Sequence, residues 1–265
     1  GRPAPQYRDH FKTLTPLISN NGYEFRRLGL TESDGIPSDL SALLVFAPDA
    51  LNDRQRYEIN KYLYQGGTVV VAAQGFEYAF QLKPPNGFDL EPQKQPLDIN
   101  KLIGAWGVKV SEDMLMDENC DIVNVSVGQQ AGPFALSMPI KMPNQIIVRP
   151  ETMNRKLPLM SRQPSFMYLW GSALDLAQEV LKAQELKSTI LFTSSNRSWK
   201  VPHEGGMLKT ESARFPKAGS PGKFPLGVVV EGLFKDAFAG QEIPAWPPQE
   251  GEATPASSVT QAKTK

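Results

Sequence analysis

Residues 43–75, LLVFAPDALNDRQRYEINKYLYQGGTVVVAAQG, constrain the fold more than any other stretch of the chain. Residues 43–47 form a continuous apolar run, the pattern of a strand buried on both faces rather than one. Asn52 then offers a side-chain acceptor to a first helical turn, with Gln55 three residues on, at capping-box spacing. Ile59, Tyr62 and Leu63 share a face at helical period, and Gly66 with Gly67 supplies the left-handed stop. Residues 68–73 are a second apolar run. Two buried strands joined by a helical crossover must run parallel, so this stretch predicts a strand–helix–strand unit with Ile59 and Leu63 turned toward the sheet.

On either side the alternation continues. Phe11, Leu14, Leu17 and Ile18 have helical spacing, and residues 23–30 read as a strand. Residues 76–100 are rich in Pro, Gly and Gln and read as a surface excursion, a mobile loop or a lid. Residues 97–106 regain helical spacing, and residues 108–115 read as a strand. Residues 121–165 read as a β-rich insertion. Strands are expected at 166–170, 189–193 and 226–231, with a helix over 174–187. The fold class that follows is α/β: a Rossmann- or flavodoxin-like (amidotransferase-like) open sheet, mostly parallel, with a smaller irregular β region. It fills one domain over residues 1–238. From 239 the composition turns to Pro, Glu, Ala, Ser and Thr, which reads as a disordered tail or linker.

Composition excludes several classes of function. Twenty-eight basic residues balance 28 acidic ones, so charge gives no reason to propose nucleic acid as a partner. One cysteine excludes an internal disulfide. Neither G-x-x-x-x-G-K-[ST] nor G-x-G-x-x-G occurs, which argues against nucleotide hydrolysis and against a nucleotide cofactor. The sharpest strand-end turn carries Gln74, Gly75 and Phe76 where a hydrolase needs a Ser or Cys nucleophile. Cys120 lies in DENCD, where carboxylates would raise its pKa, and the only histidines are His10 and His203.

Asp117, Asn119 and Asp121 have the alternate spacing of a calcium loop. Ile122 stands where Gly is needed and Gly128 where the bidentate Glu belongs, so a solvated acidic turn is the better reading and no metal is expected. His203 and Glu204 lack the second histidine of a zinc helix. The remaining recognition groups cluster at strand ends: Gln74 and Phe76 after one strand, Ser194, Ser195, Asn196, Arg197 and Trp199 after another. If those strands ran parallel, their loops would share one sheet edge, and Trp199 would stack on a saccharide-like ligand hydrogen-bonded by its neighbours. The competing reading is a plain turn with Trp199 packed as core.

Four stretches carry a family resemblance: IPSDLSALLVFAPDALNDRQRYEINKYLYQGGTVVV (36–71), INKLIGAWGVKVSEDMLMDENC (99–120), STILFTSSNRSW (188–199) and FPLGVVVEGLFKDAF (224–238). Together they resemble the auxiliary, substrate-binding-like components of ABC transporters typified by the gliding-motility ABC-transporter component. The resemblance implies a non-enzymatic domain on the periplasmic face of the inner membrane, tethered by membrane helices outside these residues. Its implied partners are ABC permease and ATPase subunits and other proteins of the membrane complex. No catalytic residue carries over from the family. Two alternatives remain open at this point, an amidotransferase-like α/β enzyme and a pure protein-interaction scaffold.

Overall fold

Asn52 and Gln55 close the capping box that their spacing predicts. The Asn52 side chain accepts the Gln55 N–H at 2.9 Å, and the Gln55 side-chain oxygen accepts the Asn52 N–H at 3.1 Å. Two of the orphan donors at the helix start are thereby satisfied. Gly66, at φ +99°, supplies the left-handed residue beyond the other end of this helix.

The computed structural model describes residues 12–48, 50–83, 87–126, 137–203, 205–208, 221–247 and 259–264. Its elements begin with α1 (Leu14–Asn20), β1 (Tyr23–Leu28), β2 (Ala42–Phe46), α2 (Asp53–Tyr64) and β3 (Val69–Ala72). There follow β4 (Phe76–Lys83), β5 (Gly87–Lys94), α3 (Ile99–Ile103), β6 (Val108–Val110), β7 (Met114–Asp117), β8 (Cys120–Ser126) and β9 (Ser137–Val148). The remainder are α4 (Pro158–Ser161), β10 (Phe166–Leu169), β11 (Leu174–Leu176), α5 (Gln178–Ala183), β12 (Lys187–Thr193), β13 (Ser198–Val201), β14 (Pro225–Glu231) and β15 (Val259–Thr264). Phe11, His10, Gly128 and Glu204, to which the sequence reading assigns places, lie outside the described residues.

The chain divides into two compact units. One unit combines Gly1–Ala72 with Lys235–Lys265, and the other is Ala73–Phe234. The first unit holds a four-stranded sheet in the order β1-β15-β2-β3. Strands β2 and β3 pair in parallel, from Leu43 opposite Val69 to Phe46 opposite Ala72, with α2 as the crossover. Ile59 and Leu63 are the buried apolar residues of α2, as their spacing predicts. The expected tail region contains β15, which runs antiparallel to both β1 and β2 and lies between them. Strands β1, β2 and β3 therefore share one direction, although only β2 and β3 are hydrogen-bonded parallel neighbours.

Residues 235–246 run back along α2. Asn60, fully buried, donates to Asp236 Oδ1 at 2.6 Å and accepts the Ala237 N–H at 3.0 Å. Tyr57 meets Phe238 edge-on at 5.6 Å. Arg54 donates to the Pro244 carbonyl at 3.0 Å and lies over the Trp246 ring.

The second unit is built around β7, whose four residues are all buried. Alternate side chains of a strand point to opposite faces, so a wholly buried strand must be covered twice. Met114 and Met116 enter one core with Phe76, Tyr78, Leu90, Met142 and Trp199. Leu115 enters another with Ile146, Val148, Met153, Met160 and Leu226. Around β7 the strands form small antiparallel sheets: β10-β9-β8, β11-β6, β12-β14, β13-β7 and the β4-β5 hairpin.

The Rossmann- or flavodoxin-like open parallel sheet is therefore overturned. Among the described residues the protein is mostly β, with antiparallel pairings throughout except for β2–β3. A parallel crossover needs about a dozen residues or more of connection, usually a helix. Only α2, at 12 residues, is long enough among the described helices; the expected helix over 174–187 resolves into β11 and the six-residue α5. Apolar runs such as TILFT and LGVVVE are true strands, but β12 and β14 pair with each other antiparallel. Residues 76–94 are a hairpin rather than an excursion. Tyr78 and Leu90 alternate inward, a period that the Pro, Gly and Gln content conceals.

Candidate functional site

The turn between β12 and β13 holds four of the seven recognition residues, Trp199 follows within β13, and a buried carboxylate on β7 organises the turn. Asp117 ends the apolar strand MLMD and is fully buried, opposite Ser198 in the β7–β13 pair. Its Oδ1 accepts the Asn119 N–H at 2.8 Å and the Ser195 hydroxyl at 2.6 Å, while Oδ2 accepts the Ser195 N–H at 2.7 Å. A carboxylate taken out of water needs this many donors to remain tolerable there.

The neighbouring hydroxyls are engaged in the same way. Ser194 Oγ accepts the Phe224 N–H at 2.8 Å and lies 2.6 Å from Ser198 Oγ. Ser198 Oγ is also 2.6 Å from the Gly222 carbonyl and 2.7 Å from that of Ser195. Ser195 Oγ accepts the Arg197 N–H at 3.0 Å. The Arg197 guanidinium pairs with Glu118, holding that carboxyl below its usual range and the guanidinium above its own. Both partners face solvent, where such a pair contributes little to stability. Asn196 is exposed at the tip of the turn.

Trp199 is 6 % exposed and Phe76 1 %, and both rings belong to the core that receives Met114 and Met116. Phe76 lies edge-on to His203 at 5.9 Å, and Tyr78 stacks on Trp170 at 5.2 Å. Gln74 is half-buried. Beside it the Gly75 N–H is held by Ser172 Oγ at 2.8 Å, and a Cβ on Gly75 would stand 2.9 Å from the Ser111 carbonyl, too close for any side chain.

The structure thus joins Phe76 with Trp199 through the core, and Ser195 and Arg197 through Asp117 and Glu118, while Ser194 is tied to Ser198 and Phe224. The condition for a shared strand-end edge is not met, because β12 pairs antiparallel with β14 in a sheet of its own. A shallow cleft of about 360 Å³ opens beside β12, bounded by Thr152, Met153, Asn154, Phe192, Lys223 and Pro225. None of the seven recognition residues lines it. Two of its polar groups are tied to the backbone: Thr193 Oγ1 donates to the Thr152 carbonyl at 3.3 Å and Asn154 Nδ2 to that of Ile190 at 3.2 Å.

Asp117 is the organising residue that the sequence reading placed in a solvated acidic turn. The available signal was a carboxylate directly after three apolar strand residues, a position pointing toward the interior. Among the described residues no group of three or more His, Cys, Asp or Glu is arranged to hold a metal ion. Cys120 is half-buried, and burial is the main cause that pushes its thiol up, with Asp117 and Asp121 adding to it and Lys141 opposing. The direction is the one expected from DENCD, but desolvation outweighs the neighbouring charges.

A family model described as an ABC-type uncharacterized transport system matches residues 6–264. The chain belongs to this family of auxiliary components of ABC transport systems. Neither the curated proteins nor the solved structures yield a match. As an auxiliary component, the protein associates with other components of an ABC transporter. Among the described residues, no helix is long and apolar enough to cross a membrane.

Proposed function

We propose that this chain is a non-catalytic accessory domain acting by protein contact on the periplasmic face of the inner membrane, beside a separate permease and ATPase of an export or motility system. One observation carries the contact reading over ligand capture. The hydroxyls and the buried carboxylate of the β12–β13 turn are bound to one another, whereas the outer face of the β10-β9-β8 sheet presents apolar side chains. Met167 is 44 % exposed, Leu169 47 % and Ile122 52 %. Met167 lies opposite Ile147, whereas Leu169 lies opposite Gln145 and Ile122 opposite Lys141, so exposed apolar side chains stand among polar ones on these strands. A sheet face of this kind suits a partner protein better than a small polar solute.

The test is co-purification of the full chain with the permease and ATPase subunits of an ABC transport system from the same cells. The double change Met167→Asp with Leu169→Asp should abolish recovery of the complex while leaving the circular dichroism spectrum intact. Undiminished recovery, or no complex with the unaltered chain, defeats the reading.

A further inference from the structure

The four-stranded sheet of the first unit ends in two unlike edges, β1 on one side and β3 on the other. Strand β1 carries Glu24, Arg26 and Arg27, and charged side chains are a common means of keeping an edge from pairing with another chain. Strand β3 has no such guard. Neither a charged residue nor a proline stands between Lys61 and Glu77, and Val69–Ala72 run beside β2 without a bulge.

The pairing with β2 fixes which main-chain groups stay on the outer side of β3. Leu43 donates to the Thr68 carbonyl at 2.8 Å and Ala47 to that of Ala72 at 2.7 Å. Thr68, Val70 and Ala72 therefore bond toward β2, because alternate residues of a strand turn their N–H and C=O to opposite sides. Val69 and Val71 aim theirs at the free edge, where among the described residues no strand is paired. The side chains are open as well. Val70 is 43 % exposed and no residue of β3 is buried, although β2 beside it is buried from Leu43 to Val45.

The absence of charge points to what fits this edge. A strand that pairs with its own copy about a two-fold axis sets each residue against the mirrored position of the same sequence, and like charges there repel. Residues 62–76 contain none to oppose such a pairing at any register.

We infer that β3 is a self-association edge, pairing antiparallel with β3 of a second copy about an axis at Val70. Val69 then exchanges both hydrogen bonds with the second copy's Val71, and the two sheets become one of eight strands. The two Val70 side chains form the non-hydrogen-bonded pair between them, the arrangement that brings opposed side chains closest. This inference is independent of the protein-contact reading above, which uses other strands in the other unit.

The experiment is light scattering on the full chain as it leaves a sizing column. The mass should pass from monomer to twice that value over about a hundredfold range of concentration. Val70→Lys sets two ammonium groups against each other and should hold the chain monomeric at the top of that range, as should Val70→Glu. Mixing these two variants should restore the doubled mass, a rescue that a misfolded chain does not give. Val71→Pro removes an N–H that faces the free edge and none that serves β2, so it too should be monomeric with an unchanged circular dichroism spectrum.

A monomer at every concentration, a doubled mass that survives Val70→Lys, or charge variants that stay monomeric when mixed each overturns the proposal. The Met167→Asp, Leu169→Asp chain should double its mass as the unaltered chain does. Loss of the dimer in that variant moves the self-contact to the other unit and overturns the proposal as well. Failure here leaves the co-purification result standing, and failure of co-purification leaves the dimer intact, so the two readings fall separately.

Discussion

The β2–α2–β3 crossover and the β7–β13 pair are both buried strand pairs, yet they are assembled by opposite means. In the crossover each partner is a short helix away, the cap is formed by residues three apart, and the parallel register follows from the connection. In the other pair Asp117 meets Ser198 across a large part of the chain, and a buried carboxylate binds the returning turn. The first needs only local chemistry to be specified. The second holds only once two distant apolar faces have already met, because burying Asp117 before Ser195 arrives would leave its carboxylate without donors.

The largest test of this contrast is Trp199→Ala. Removing a 6 % exposed indole from the core around Met114 and Met116 should destabilise the second unit by about 3–5 kcal/mol, read as a lower urea midpoint. Amides of β7 and β13 should lose exchange protection while those of β2 and β3 keep it. Equal loss in both sets would show that the units unfold together.

Asp117→Ala should come next, at about 3 kcal/mol, because it strands the Ser195 and Asn119 donors in a dry turn. Asp117→Asn, which keeps one acceptor oxygen, should lose less. If the alanine and asparagine variants behaved alike, the turn would owe its stability to packing rather than to the carboxylate.

Asn52→Ala probes the local side of the comparison. Loss of the capping box should cost about 1 kcal/mol and raise exchange at the first turn of α2, with β7 and β13 unaffected.

The smallest effect is silent at neutral pH. Tyr168 donates to the Ser172 carbonyl at 2.8 Å, and burial pushes its phenol up to about 12. The neutral phenol is favoured by folding, so its contribution is complete below the ordinary tyrosine value of about 10 and is lost as pH rises through the folded one. Urea midpoints should therefore fall across that alkaline window, and Tyr168→Phe should shallow the fall. An identical slope in the variant would assign the alkaline loss to other groups.

How much of this was legible beforehand depended on range. The boundaries and parallel pairing of β2–α2–β3 were readable, because the apolar runs, the Asn52–Gln55 spacing and the Gly66 stop each act within a few residues. The remaining apolar runs announced strands at β10, β12 and β14 but not their partners, since an apolar run records burial and says nothing of direction. The recognition turn was visible as a cluster of hydroxyls, an amide, an arginine and a tryptophan. That Ser194, Ser195 and Ser198 bond inward, and that Trp199 lies in a core, depends on where Asp117, Phe224 and Met116 arrive from elsewhere in the chain.

By itself, then, the sequence determined the local unit and the family signature, both written in neighbouring residues. Only the tertiary structure decided that the other strands run antiparallel and that β15 stands between β1 and β2. Strand pairing is a contest among distant main-chain edges whose hydrogen bonds are chemically alike, and side-chain burial settles it only after the chain has closed on itself.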